Sequence, residues 1–364
     1  MGALNFVQTI PEPALAPPSG RKTAGGFSTL FGGGANLLAT LVFVAAIERG
    51  LPHLMAWAFA HGVWQGDGEA CRDAGACWVF LRHKAPFILF GIYPEAQMWR
   101  PIAVVAMLAA LTLWTMPRAH WNRSTLAAWG VGLVLAVALM AGGIAGLPPV
   151  PAASWGGLPV TLLMTVLSLA FGFPLGLALA LARRSALPLI RYVAGGLVEV
   201  LRGVPVVTLL FAASFLAPLL LPETIRLENL TRALGVFTLV SAAYFCEVLR
   251  GGLQGVARGQ WESAQALGLR SRDVLCVVIL PQAVRKVLPP LTSTIIVVIK
   301  NTSLVMVVGL FDLVSAGRVV LNDPAWPMPY AETYLMVALV YFVICYGVAR
   351  YSLHLEETLE EGRR

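Results

Sequence analysis

The chain carries very little charge for its length. Only 12% of its 364 residues are Asp, Glu, Lys or Arg, whereas 58% are apolar, and the mean hydropathy is +0.76. This composition excludes an ordinary soluble globular domain. The formal charge of +7 does not argue for nucleic-acid binding, because the basic residues stand at the ends of apolar runs, as bilayer topology requires. We therefore predict a polytopic membrane protein.

Residue patterns that carry catalysis are also missing. The sequence contains no Gly-x-x-x-x-Gly-Lys-Ser/Thr motif and no Gly-Lys dipeptide, so it has no P-loop with which to hydrolyse ATP. Its five His residues lack ligand spacing, so we expect no metal site. No nucleophile, base and orienting acid occur together. We predict that the chain is not an enzyme by itself and holds no cofactor of its own.

Cysteine is scarce, with five residues in the whole chain. Three of them fall in or beside apolar runs, where a buried thiol is the simplest interpretation. Cys71 and Cys77 lie instead in a polar segment that the topology below places in the oxidising periplasm. A disulfide between them is one interpretation, and two free thiols is the other.

Eight apolar runs approach or exceed the roughly 20 residues that a helix needs to cross the hydrocarbon core. Lipid cannot satisfy open backbone groups, so we predict an all-α transmembrane helix bundle of about eight spans. In the first run, Glu48, Arg49 and Gly50 either mark the outer end or lie within a helix that continues along the interface. The runs are 36–60, 101–116, 125–147, 158–182, 204–221, 233–249, 289–310 and 332–351.

Composition also divides the chain into regions. Residues 1–35, rich in Pro, Gly and Ala, are predicted to be a disordered cytoplasmic lead. Residues 36–150 form an accessory region of three spans, and the aromatic-rich segment 61–100 within it is expected to be a small periplasmic cap. Pro148, Pro149 and Pro151 mark the boundary to a core at 155–353, which the cytoplasmic tail 354–364 follows.

The distribution of positive charge sets the orientation. With the N-terminus inside, most of the 26 Lys and Arg residues fall in cytoplasmic segments, in agreement with the positive-inside rule. We therefore predict a multi-pass protein with both termini in the cytoplasm. The polar segment 251–281, which separates two apolar runs, then lies in the cytoplasm as well.

That polar segment contains Glu262-x-Ala264, then Gly268, then Ile279-Leu-Pro281. The pattern resembles the "EAA" coupling loop of membrane subunits of ATP-binding-cassette (ABC) importers. Three further stretches, beginning at Arg202, Glu247 and Lys300, read Arg-Gly-Val-Pro, Glu-Val-Leu-Arg-Gly-Gly-Leu and Lys-Asn-Thr-Ser-Leu. Together they resemble the polar amino-acid (histidine/glutamine type) permeases over roughly 157–351. The long N-terminal extension is similar to that of general L-amino-acid permeases of Gram-negative bacteria.

The resemblance implies a type I ABC importer core of five spans plus an N-terminal extension, in the bacterial inner membrane. It also implies partners: a homologous permease subunit, two ABC ATPase subunits that bind the ATP, and a periplasmic amino-acid-binding protein. An ion-coupled secondary transporter is the alternative, and it would show inverted repeats. A membrane scaffold that does not transport is a third possibility.

The resemblance assigns a mechanical role to the coupling loop. A short helix at 260–267 would dock on the ATPase, with Glu262 capping its start and offering a charged contact. Ala264 would permit close approach, and Gly268 would allow a sharp exit. Leu280 and Pro281 would open the next helix, where the missing N–H of proline costs nothing. The alternative is an ordinary amphipathic inner loop.

Lys300 stands near the middle of the apolar run 291–310. A lysine at the bilayer centre costs about 2.5–3.5 kcal/mol on insertion scales, so such a residue usually faces a polar interior. With Asn301, Thr302 and Ser303 beside it, we predict a polar patch that lines the translocation path and meets an amino-acid carboxylate. A lysine that snorkels to the interface is the alternative.

Two further motifs are predicted to have structural or gating roles. Glu247 and Arg250 are one helical turn apart, so we expect them to form an ion pair at the inner end of their span. Arg202, Gly203 and Pro205 are expected to form an elbow, with Gly203 giving freedom and Pro205 starting the core helix.

Overall fold

A computed structural model describes residues 33–144, 146–220, 222, 224 and 227–361. Within these ranges the regular structure is helical, and the only β-type pairing is an isolated bridge between Val63 and Cys77. The all-α prediction is therefore confirmed. Most of the predicted disordered lead, 1–32, and the end of the predicted tail, 362–364, lie outside the described residues.

The chain forms two compact units, and the first contains the described residues up to Phe80 together with Ala325–Pro329. Its first helix, α1, spans Gly34–Met55 and continues as a wider π-helical segment, Ala56–Ala60. Glu48, Arg49 and Gly50 therefore do not end the helix. None of the side chains of α1 is buried, because the apolar residues face outward all around it.

The polar segment after α1 is held together by covalent and aromatic contacts within this unit. Cys71 and Cys77 are joined by a disulfide with their Cα atoms 5.5 Å apart. Trp78 donates from Nε1 to the carbonyl of Ala58 at 2.6 Å and stacks on Trp64 with ring centroids 5.7 Å apart. These contacts order a segment that is too short to build an apolar core of its own.

The second unit comprises Leu81–Pro324 and Tyr330 onward, and α2 runs across the boundary between the units. Its helices are α2 Trp78–Phe90, α3 Trp99–Thr115, α4 Arg123–Ala141, α5 Gly157–Ala182, α6 Pro188–Gly203, α7 Val206–Leu220, α8 Asn229–Gln254, α9 Arg258–Ala266, α10 Ser271–Val308, α11 Leu313–Val320 and α12 Tyr330–Glu361.

Seven helices of the described chain are long and apolar enough to cross a membrane, and α6 with α7 would make an eighth. The axes of α6 and α7 meet at 104°, so the two helices do not continue in one direction. The break falls at Val204 and Pro205, whose backbone is extended. Pro205 lacks an N–H donor and precedes the first residue of α7, so the predicted elbow is present.

The structure differs from expectation at several points. The third span ends at Ala141 rather than at 147, because Gly142 and Gly143 adopt φ values of +66° and +76° that stop a helix. The helices α2 and α11 were not predicted, since each is short and lies beside polar residues. The compact units also divide the chain elsewhere than at Pro148–Pro151, so the predicted domain limits stay a prediction.

The long helix α10 absorbs a proline by widening. Regular α-helix begins at Leu280, so Pro281 lies in the first turn of that regular part. The helical run starts earlier, at Ser271, and passes through a π-helical segment, Val274–Ile279, so Leu280 and Pro281 continue a helix instead of opening one as expected. A wider turn at this point accommodates the hydrogen bond that proline cannot donate.

In the second unit, α5 packs closely against α8. A Cβ atom on Gly176 would lie 2.7 Å from the carbonyl oxygen of Ala242, and one on Gly172 would lie 2.9 Å from Cβ of Ser241. The two glycines are four residues apart and therefore share one face of α5. Small residues with this spacing let transmembrane helices approach backbone to backbone, which places the rest of α8 against α5.

We expect Gly176→Leu to destabilise the folded protein by about 1–3 kcal/mol, the usual cost of overpacking a closed contact. The measurement is the thermal unfolding midpoint of the detergent-solubilised protein. Gly130→Leu is the matched control, because an added Cβ at Gly130 on α4 meets no atom within 4 Å. Equal midpoints for the two variants would contradict close packing of α5 on α8.

Candidate functional site

The polar loop between α8 and α10 contains the short helix α9, Arg258–Ala266. Ala264 is 3% exposed and faces a small apolar cluster on its own chain. Because alanine adds only a methyl group, α9 can lie close to the neighbouring helices. The close approach that Ala264 allows is therefore within this chain. The other buried members of the cluster are Leu253, Val256, Val274, Ile279 and Ala283.

Polar contacts hold the same helix against α10. Lys286 donates from Nζ to the carbonyl oxygen of Gly255, and Gln282 donates from Nε2 to Oε1 of Gln260 at 3.1 Å. Both donors lie on α10, and both acceptors lie in or just before α9. The loop is consequently a fixed extension of the helical bundle, able to pass a displacement to α10.

The opposite face of α9 is open. Glu262 forms an ion pair with Arg258 at 2.8 Å, and the side chains are 62% and 61% exposed. Glu262 is the fifth residue of α9, and Ala257 occupies the N-cap position, so the prediction that Glu262 caps the helix start is wrong. An N-cap side chain accepts from N–H groups of the first turn, which Glu262 has already passed.

The exit from α9 turns at Gly268. Its φ is +77°, and its N–H donates to the carbonyl oxygen of Gln265 at 2.9 Å. A left-handed glycine of this kind is a common helix terminator. The residue before it, Leu267, is 81% exposed although it is a large apolar residue in a polar loop. Leu280 and Pro281 are also exposed, on the first turn of regular helix in α10.

A charge cluster lies where α5, α6 and α8 approach one another. Glu247 accepts hydrogen bonds from Arg183 and from Arg250, the latter at 2.6 Å from Nη2, and Arg202 lies 3.8 Å away. The Glu247 side chain is only 16% exposed. One carboxylate therefore connects the end of α5, the end of α6 and a turn of α8.

The predicted pair of Glu247 and Arg250 is thus part of a larger group. Arg202 also lies over the ring of Tyr244, with its Cζ 5.9 Å from the centroid. The elbow residue is therefore tied to α8 by an ion pair and a cation–π contact. Gly203 itself is unconfined, since an added Cβ would meet no atom within 4 Å.

The polar patch after the middle of α10 divides between two surroundings. Lys300 is exposed at the last turn of regular helix, and Ser303 donates to its carbonyl oxygen at 2.7 Å. Thr302 is 1% exposed and donates to the carbonyl oxygen of Ile299 at 2.7 Å. Asn301 is partly buried. Lys300 and Thr302 consequently belong to different faces of α10, and of the four residues only Lys300 is exposed.

Two residues of these sites escaped sequence reasoning. The sequence motifs assign no role to Arg183, although it donates to Glu247. They assign none to Leu267 either, although it lies between Ala264 and Gly268 of the coupling-loop motif. An apolar residue next to a glycine in an otherwise polar loop is the signal that could have identified it.

We expect Glu247→Gln to destabilise the protein by about 1.5–3 kcal/mol, because the charge-assisted bonds from Arg183 and Arg250 would be lost. The control is Glu199→Gln: Glu199 lies 3.9 Å from Arg183 but is 74% exposed, so we expect a loss below about 0.5 kcal/mol. Unfolding of each purified variant by SDS titration measures its loss of stability relative to the wild-type protein. Losses of equal size would contradict a stabilising role for the cluster.

Comparison with known proteins places these features in a family. The family described as "Binding-protein-dependent transport system inner membrane component" matches residues 172–359, which include the Glu247 cluster, α9 and Lys300. The "Crystal structure of an amino acid ABC transporter with histidines" superimposes with a TM-score of 0.50. That match has 29% identity and covers 54% of this chain and 90% of that one.

Two relatives align along almost the whole chain. The inner membrane amino-acid ABC transporter permease protein YhdY of Escherichia coli is 38% identical, over 92% of each chain. The glutamate/glutamine/aspartate/asparagine transport system permease protein BztC of Rhodobacter capsulatus is 33% identical, over 92% of this chain and 91% of its own. Because both relatives are permease proteins and both alignments extend well before residue 172, the comparison favours an ABC permease over an ion-coupled transporter. The chain belongs to the family of binding-protein-dependent transport system inner membrane components, the multi-pass permease subunits of ABC importers.

Proposed function

We propose that this permease carries amino acids across the bacterial inner membrane, driven by ATP that separate ATPase subunits bind and hydrolyse. The names of the relatives YhdY and BztC support amino acids as the substrate class. The exposed face of α9, with Leu267 at its end, is the observation that carries the coupling role. An apolar side chain that is exposed in an aqueous loop gains from burial in a partner groove.

In this proposal α9 is the coupling helix. Its outer face presents the Arg258–Glu262 pair and Leu267 to a groove on the ATPase, while Ala264 keeps its inner face on α10. Closure of the ATPase would then push on α9 and, through the contacts of Gln282 and Lys286, tilt α10. Gly268 gives the loop the reversal that this geometry needs. Leu280 and Pro281 follow at the start of the regular helix of α10.

The complete transporter would contain further subunits. We propose a homologous permease subunit beside this chain, two ATPase subunits below it and a periplasmic amino-acid-binding protein above it. Both termini and the loop containing α9 would lie in the cytoplasm, as the distribution of Lys and Arg supports. The disulfide segment, Cys71–Cys77, would then lie in the oxidising periplasm.

Lys300 is proposed to meet the substrate carboxylate in the translocation path. The side chain is exposed on an otherwise apolar stretch of α10, and Asn301 and Ser303 add polar groups beside it. Thr302 is assigned a supporting role because it is buried. A cation at this depth is costly without an anion, and a passing carboxylate supplies one.

We expect Gly268→Val to lower the recovery of the ATPase subunit with the tagged permease. It should also lower ATP hydrolysis stimulated by the amino-acid-loaded binding protein by about fivefold or more. A β-branched residue at φ +77° is strained by about 1–2 kcal/mol and would reshape the loop. The measurement is affinity purification from native membranes, followed by an ATPase assay.

Gly146→Val is the matched control for this experiment, because Gly146 has nearly the same φ, +76°, with no atom within 4 Å of an added Cβ, and lies outside the coupling loop. We expect that variant to keep most of the activity. Wild-type coupling in Gly268→Val would contradict the role of this loop. A tagged wild-type chain that transports in liposomes without ATP would contradict the proposed function as a whole.

We expect Lys300→Met to lower amino-acid uptake by at least about tenfold at normal expression, because a charge-assisted bond worth about 1.5–3 kcal/mol would be lost. Lys300→Arg is the control, since it keeps the charge and should keep most of the uptake. Uptake into cells, normalised to the amount of permease in the membrane, is the measurement. Unchanged uptake in Lys300→Met would remove Lys300 from the path.

A further inference from the structure

The charge cluster around Glu247 contains more positive than negative charge. Three arginines, at positions 183, 202 and 250, approach Glu247, and Glu199 is a second carboxylate 3.9 Å from Arg183. Arg184 adds a fourth guanidinium to the same region, since it is close enough to be repelled by Arg250. The four arginines and two glutamates leave an excess of two positive charges. Glu199 is largely exposed to solvent, so it neutralises the arginines only weakly.

Arg184 is the member without a counter-charge. Among the residues that the structure describes, none forms a hydrogen bond or an ion pair with its guanidinium, although the side chain is partly buried. Burial lowers the pKa of this guanidinium, and repulsion from Arg250 lowers it further. A partly buried cation in this situation is stabilised by any anion that can reach it.

An apolar surface adjoins the cluster. One face of α6, with Ala194, Val198 and Leu201, packs on α5 and α8. The opposite face is apolar as well and is open, with exposed fractions between 58% and 74%. Its residues are Leu189, Tyr192, Val193 and Val200. Because α6 meets α7 at 104°, α6 lies across the direction of the following helix rather than continuing it.

We propose that this surface is a binding site for one anionic phospholipid, whose phosphate is held by Arg184 with Arg202 and whose acyl chains lie along the open face of α6. Excess positive charge at the end of an apolar surface matches an amphiphile with a negatively charged head. A basic pocket between membrane helices on the cytoplasmic side is a recognised setting for such lipids. An amphipathic helix that lies in the interface supplies the apolar half of the site.

The test measures lipid retained by the purified transporter complex. The complex is solubilised in detergent, incubated with phosphatidylglycerol or with phosphatidylcholine of the same acyl chains, and weighed by native mass spectrometry. We expect phosphatidylglycerol to be retained in preference. Arg184→Gln should weaken that retention about fivefold, the factor that corresponds to about 1 kcal/mol for one arginine near an anionic surface. Arg184→Lys should keep most of it.

Arg123→Gln is the matched control, because Arg123 is an exposed arginine at the start of α4 and lies outside the cluster. It should leave retention of phosphatidylglycerol unchanged. Equal retention of the two lipids, equal loss in both Gln variants, or displacement of the lipid by inorganic phosphate at the same concentration would overturn the proposal. Loss of a partner subunit from Arg184→Gln, with lipid retention intact, would assign the cluster to a protein contact and also overturn it.

Discussion

The contact of Gly172 and Gly176 with α8 determines where the charged groups of this permease meet. Because no side chain separates the two helices, the end of α5 lies beside α8, and Arg183 reaches Glu247. The same carboxylate reaches Arg202 at the end of α6. An ion pair at the margin of a membrane stabilises the fold only if the geometry of its two side chains is fixed. Here the backbone packing of α5 on α8 fixes that geometry. Glu247 thereby connects the ends of α5 and α6 to one turn of α8.

The π-helical segments at Ala212–Leu216 in α7 and Val274–Ile279 in α10 are a second constraint, and α10 also carries Lys300. A π segment has a wider turn and weaker hydrogen bonding than regular helix, so a helix can rotate or bend there at low cost. Asn229 connects one of them to the core: it accepts from Ser214 at 2.8 Å and donates to the carbonyl oxygen of Val308 at 2.7 Å. One amide therefore joins the π segment of α7, the start of α8 and the end of α10.

Sequence reasoning predicted the parts of the fold that depend on apolar length. The spans around α5, α8 and α12 were predicted because runs of that size have no other stable solution in lipid. The motif around Glu262 located α9 to within two residues. Which face of α9 is buried was not predictable from the sequence. Both faces of this short helix carry polar residues, so either the Ala264 face or the Glu262 face could have been exposed to solvent. Arg183 escaped for another reason: the partner of a charge depends on helix packing, which a single sequence does not reveal.

The placement of Ala264 changes how the loop can transmit force. If alanine faced the ATPase, the partner would press on the backbone of α9 directly, and the loop could yield. With Ala264 on the inside, α9 is supported by Val274 and Ile279, the first and last residues of the π segment of α10. In the proposed mechanism, a push on the outer face of α9 would reach the π segment of α10 first, and then Pro281 and the regular helix that leads to Lys300. The coupling loop would thereby act on the polar patch through a single helix, α10.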